Sequence, residues 1–216
     1  MQTTMDSNQL SHSIDTMYLL HRALRVEAAR AEEVVRALTL GGSFAPLAQV
    51  FQRWSRALEY HAVMEDTYMT PALDRPSMRT NEAEHRRLTE LLADLHTYLY
   101  DVGGPTAVTA GARRHALGKV VVLRVAQNDH LEEEEERVLP VIRQQIDKSQ
   151  QCDMAQRLLC DRETENPGWV LAWLTPYVTA TERQWLMALV GRAAAVDVSP
   201  VPWREGNGAF SDTLPG

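Results

Sequence analysis

Apolar residues recur along most of this chain at intervals of three and four, the spacing that lines one face of an α-helix. Between Asp15 and about Leu40 the recurring positions are Leu20, Leu24, Ala28, Val34, Val35 and Leu38. Gly41-Gly42-Ser43 interrupts the pattern; Ser43 is placed to cap the next helix, and Pro46 fits its first turn. That second helix runs through Leu47, Val50, Phe51, Trp54 and Leu58 to about Leu73, with Pro71 ending or kinking it. After a loop at Asp74–Ser77, the run Asn81-Glu82-Ala83-Glu84 has capping-box spacing and predicts a third helix from there to about Tyr100. Gly103-Gly104-Pro105 is the next break, and a fourth helix is predicted from about Val108 to Asp147. Strand patterning is almost absent. Long amphipathic helices on short connections favour antiparallel neighbours, so the expected fold is all-α, an up-down-up-down four-helix bundle over residues 12–148.

Beyond Ser149 the pattern shortens. Residues 149–196 are expected to form a helical C-terminal extension, with helices at 150–162 and 179–195 separated by Asn166-Pro167-Gly168-Trp169. Trp169, Trp173 and Trp185 fall here, which suits a packing cover or a homodimer surface. Residues 197–216 are rich in Pro, Gly and Ser and are expected to be extended or disordered.

Within this helical frame there is a short internal echo. His61-Ala-Val-Met-Glu65-Asp66 followed by Pro71 matches His130-Leu-Glu-Glu-Glu134-Glu135 followed by Pro140. In each, a carboxylate lies one helical turn after an imidazole on the same face, where both can reach one metal ion or the carboxylate can bridge two. One such pair arises easily by chance on a charged helix face; two with the same following proline do not.

Antiparallel packing supplies a separate test, because residues of a hairpin lie level when their midpoint falls on the turn. The midpoint of His21 and His61 is residue 41, at the glycine break. That of His61 and His85 is residue 73, beside the Asp74–Ser77 loop, and that of His85 and His130 falls just past Gly103-Gly104-Pro105. Four histidines, one per helix, are thus expected at one depth. His12 fails the test, since pairing it with His61 would place the turn inside the first helix. His96 and His115 have no accompanying carboxylate pattern and are read as core or surface histidines. Tyr18 and Trp54, one and two turns from candidate ligands, are read as aromatic core.

Four imidazoles with Glu65 and Glu134 are too many for one ion and suit two, with the carboxylates bridging. Neutral imidazole and hard oxygen donors suit iron, manganese or zinc rather than copper(I). Asp66 and Glu135 are placed to orient imidazoles from outside the ligand set. The rest of the acid run Glu132–Glu136 reads as a solvated face.

Composition narrows the setting. A net charge of −7 argues against a nucleic-acid partner. No apolar run is long enough to span a bilayer, and the polar start lacks a signal pattern. Cys152 and Cys160 would lie ~12 Å apart along one helix, too far to bridge, which points to a reducing cytoplasm.

The series His21, His61-x-x-x-Glu65-Asp66, His85, His130-x-x-x-Glu134 resembles the hemerythrin-like domain, the His-His-Glu cation-binding family, over residues 12–147. The resemblance implies two non-haem iron ions, His21 and His61 on one and His85 and His130 on the other. Glu65, Glu134 and an oxo or hydroxo group would bridge them. It implies binding or sensing of dioxygen, peroxide or nitric oxide, with an oxidase, a peroxide-decomposing enzyme, or an iron store or iron-responsive regulator as alternatives. Oxygen-carrying members have a second histidine one turn from the third-helix ligand. Here those neighbours are Asn81 and Thr89, which leaves a position to water, Glu82 or a substrate and counts against plain oxygen carriage.

Overall fold

The computed structural model of the protein describes residues 10–102 and 107–191, and every regular element among them is helical. The 197–216 tail and the Gly103-Gly104-Pro105 break lie outside the described residues. Four long helices carry the core: α1 (Thr16–Ala37), α2 (Ala45–Tyr68), α3 (Arg75–Thr97) and α4 (Ala110–Glu133). α1 packs along α2 and α4, and α3 packs against α4 and α2. Their apolar stripes meet in one cluster that includes Leu24, Phe51, Trp54, Leu58, Leu92 and Leu123.

Helix boundaries differ from the sequence expectation where turn chemistry outweighs periodicity. α3 begins at Arg75 rather than Asn81, because the Asp74 carboxylate accepts from the Ser77 amide at 2.9 Å and Pro76 fits the first turn. The Asn81–Glu84 run is therefore interior helix, not a cap. Ser43 Oγ accepts from the Ala45 amide at 3.0 Å, but the capping position of α2 itself is Phe44. Both echoed prolines fall beside an irregular helical turn. Pro71 lies in a 3-10 turn, Thr70–Ala72, and Pro140 opens α5 (Leu139–Gln145) behind a wide π-turn, Glu134–Val138. The fourth helix expected to Asp147 thus runs to Gln145, widened over Glu134–Val138 but without leaving helical backbone.

The C-terminal extension lies against the long helices. It comprises α6 (Lys148–Leu159), α7 (Trp169–Leu174) and α8 (Ala180–Val190), of which α7 was not expected. α6 packs on α1 and α2, and α7 on α1. Leu158, Leu159, Trp169, Trp173, Leu174 and Leu186 are buried in the same cluster as the four long helices. Polar pins hold it down: Arg22 donates to Glu182 at 2.7 Å and to the Tyr177 carbonyl at 2.9 Å, and Arg157 donates to the Tyr68 hydroxyl at 3.0 Å. Cys152 and Cys160 are both free. No helix among the described residues is long and apolar enough to cross a membrane.

Candidate metal centre

All six predicted residues come together. His21 on α1, His61 and Glu65 on α2, His85 on α3, His130 on α4 and Glu134 at the start of the π-turn are each at most 4% exposed. Their donor atoms form two overlapping groups, His21–His61–Glu65–Glu134 and Glu65–His85–His130–Glu134, each with all atoms within 4.8 Å of one another. Glu65 and Glu134 belong to both. His61 Nε2 is 3.0 Å from Glu65 Oε1, and His85 Nε2 is 3.2 Å from Glu65 Oε2. Glu134 faces His21 Nε2 at 3.4 Å through one oxygen and His130 Nε2 at 3.5 Å through the other.

A polar cluster this deep needs a reason to be tolerated. His21 Nε2, His61 Nε2, both oxygens of Glu65 and Glu134 Oε2 are buried without a hydrogen-bond partner. The pair on the other side is more telling. His85 Nδ1 is 2.8 Å from Asp66 and His130 Nδ1 is 2.9 Å from Glu84, so each ring uses its Nδ1 proton on a carboxylate. In neutral rings that would leave two Nε2 lone pairs facing each other at 3.0 Å, an arrangement that either a metal ion or a shared proton relieves. Nitrogen and oxygen donors converging on an electron-rich centre fit a transition-metal site.

Without such an ion, protons fill the same role. Burial opposes a charged His85, but hydrogen bonds to Asp66 and Glu65 outweigh it and hold the ring up at about 10. His21 is held at about 9, where Glu134 and Glu135 overcome the same burial cost. His61, buried and beside the His21 charge, is pushed well below its ordinary value. Without metal, charged His21 and His85 thus offset part of the carboxylate charge around them, while His61 stays neutral.

Asp66 and Glu135 both orient imidazoles, though not those of their own helices. Asp66 reaches from α2 to His85 on α3, and Glu135 Oε1 from the π-turn to His21 Nδ1 at 2.8 Å. Glu84 was missed by sequence reasoning, which assigned it to a helix cap. The only available signal was its position beside His85. Asn81, where a second third-helix histidine was sought, is buried and donates to Thr70 Oγ1 at 3.0 Å. Thr70 lies 3.4 Å from Asp66, so this position supports the His85 partner instead of supplying a ligand. Glu82 is in neither donor group.

The other sequence candidates lie elsewhere. His12 is beside Ser11, 2.9 Å from its hydroxyl. His96 packs at a tilt against Tyr100, and His115 against Tyr98. Trp54 is core, with its indole N–H donated to Gln127 at 2.6 Å. A pocket of about 350 Å³ opens between α3 and the π-turn and reaches Asn81 and Glu84, but none of the six clustered residues lines it.

Comparison with known proteins agrees with this chemistry. The chain is 23% identical over 205 residues to the zinc finger protein BRUTUS of Arabidopsis thaliana, an alignment covering 92% of this chain but 16% of that protein. The chain therefore spans about a sixth of the length of this relative. No solved structure matches it significantly. The family described as the hemerythrin HHE cation-binding domain matches residues 12–142, which contain all six clustered residues. On that match the chain belongs to the hemerythrin HHE cation-binding family.

Proposed function

We propose that this chain is a cytoplasmic non-haem di-iron protein that binds or senses dioxygen or a related small oxidant, with residues 12–148 folded as an up-down-up-down four-helix bundle. One observation carries the reading: two histidine pairs on four helices share the same two buried carboxylates, Glu65 and Glu134. A single ion needs neither the sharing nor six donors. When bound, an iron pair supplies redox-active, Lewis-acidic positions for a small oxidant.

The chain's own residues do the rest. Glu65 and Glu134 present both oxygens, each directed at a different imidazole, as bridging requires. Asp66, Glu84 and Glu135 hold the Nδ1 protons of His85, His130 and His21, which fixes the tautomer and aims each Nε2 inward. Burial excludes bulk water from all six donors. Their near-complete burial favours a diatomic or peroxide-sized partner over an organic substrate. The buried tryptophans of the extension support its role as a cover over the bundle.

Metal analysis after expression in iron-replete medium tests the proposal. About two irons per chain are expected, and His61→Ala and His130→Ala are both expected to fall short of that. Protein that binds no transition metal, or variants that keep the full complement, would overturn it.

A further inference from the structure

The carboxylates outside the donor set follow a rule. Each is a sequence neighbour of a clustered residue on one helix and bonds the imidazole of the next. Asp66, beside Glu65, serves His85; Glu84, beside His85, serves His130; Glu135, beside Glu134, serves His21. The rule would have α1 serve His61, and there it fails. The neighbours of His21 are Leu20, which is buried and apolar, and Arg22, which turns away to Glu182 and the Tyr177 carbonyl. His61 Nδ1 is buried with no hydrogen-bond partner.

The remaining carboxylate on that side is also weakened. Glu135 Oε1, the oxygen that meets His21, also accepts from Arg25 Nη1 at 2.7 Å, so a guanidinium draws off part of its charge. Asp66 and Glu84 have no arginine or lysine partner among the ion pairs of the described residues. A carboxylate on the outer nitrogen fixes a ligand ring and raises its donor strength; its loss typically costs 10–100-fold in metal affinity.

We propose that the two halves of the centre hold iron unequally. The His85–His130 half, both rings anchored by unneutralised carboxylates, binds its ion tightly. The His21–His61 half, with one anchor shared with Arg25 and one ring unanchored, holds an exchangeable ion. Occupancy of that second position then follows iron availability, so the chain passes from a mononuclear to a dinuclear state as iron rises. This rests on the di-iron reading above and adds a regulatory property to it.

Anaerobic titration with ferrous iron against a competing chelator tests the inference on the whole chain. Wild type is expected to bind in two steps separated by at least about tenfold. His61→Ala is expected to lose the weaker step and keep the tighter. Glu84→Gln, which retains a hydrogen-bond acceptor at a half-exposed position, is expected to weaken the tighter step by about 10–100-fold while leaving the metal-free melting temperature unchanged. A purely structural role for Glu84 would move the melting temperature instead. Two equal steps, or loss of the tighter step in His61→Ala, would overturn the inequality alone. A wild-type chain that binds no iron would overturn the di-iron reading with it.

Discussion

Where α1 gives way to α2, Phe44 packs edge-on against Tyr98, and Leu38, Leu47, Leu95 and Leu99 are buried, while the charged groups that meet this end, Lys119 over the Tyr98 ring and Arg113 on the Leu38 carbonyl, are not buried. The backbone stitches this end together, with Gly41 N–H donating to the Val108 carbonyl and Val108 N–H to Gly42. Gly41 has a φ of 82°, which a side chain would strain. At the other end of the same helices, four imidazoles and two carboxylates occupy positions that apolar residues would otherwise fill. The first end gains stability from each side chain removed from water. The second loses it, unless a cation repays the desolvation. The apolar end therefore needs no ion to be stable, whereas the clustered end, apolar around its rim, carries a polar centre that does.

The largest effect should come from the apolar end. Phe44 is 1% exposed, and Phe44→Ala is expected to cost about 3–5 kcal/mol through lost burial and the cavity left behind. Iron content per folded chain should stay at the wild-type level. Urea unfolding gives the first quantity and metal analysis the second. A variant that is only as destabilised as expected but has lost its iron would break the separation of the two ends.

The next effect distinguishes them by pH. In the metal-free chain, burial lowers His21 and His85, but their carboxylate partners raise them more, to about 9 and about 10 against an ordinary 6.5. A group raised in the folded state contributes stability that is complete below its ordinary pKa and is lost as pH rises through the folded value. The metal-free protein is therefore expected to melt at progressively lower temperature from pH 6.5 to pH 10. The iron-loaded protein, in which metal charge replaces those protons, should hold its melting temperature across most of that window. Parallel curves for the two forms would mean that the rings are not what the metal replaces.

Much of the clustered end was legible in the sequence, because its geometry is written in spacing. A histidine and a glutamate one turn apart share a face whatever surrounds them, and the three hairpin midpoints fixed the common depth of His21, His61, His85 and His130. What escaped was contact between helices. Glu84 serves His130 from another helix, and no spacing along α3 encodes that reach. The same residue fitted a capping box, so local pattern absorbed a non-local role. The start of α3 was misplaced for a related reason: Asp74 and Pro76 make a stronger helix start than Asn81, but they read as loop residues. α7 was missed because Trp169–Leu174 is apolar on nearly every side, and a short buried helix has no polar face to reveal its period. The π-turn at Glu134–Val138 has no periodic signature either, although Pro140 marked where regular hydrogen bonding must end.

The smallest effect tests the same separation at a helix start. α4 begins at the apolar end, where Thr109 Oγ1 accepts from the Ala112 amide at 3.0 Å, and it carries His130 close to its far end. Thr109→Ala removes that cap and leaves a first-turn N–H without its partner, a loss of about 1 kcal/mol. The affected turn is separated from His130 by most of the helix, and a capping defect frays locally instead of propagating through a packed helix. Chemical denaturation should therefore shift by this small amount, with both iron affinities unchanged within error. Glu84→Gln is expected to do the reverse, changing affinity without stability. If Thr109→Ala weakens iron binding as well, α4 transmits strain along its length, and the two ends act as one cooperative unit.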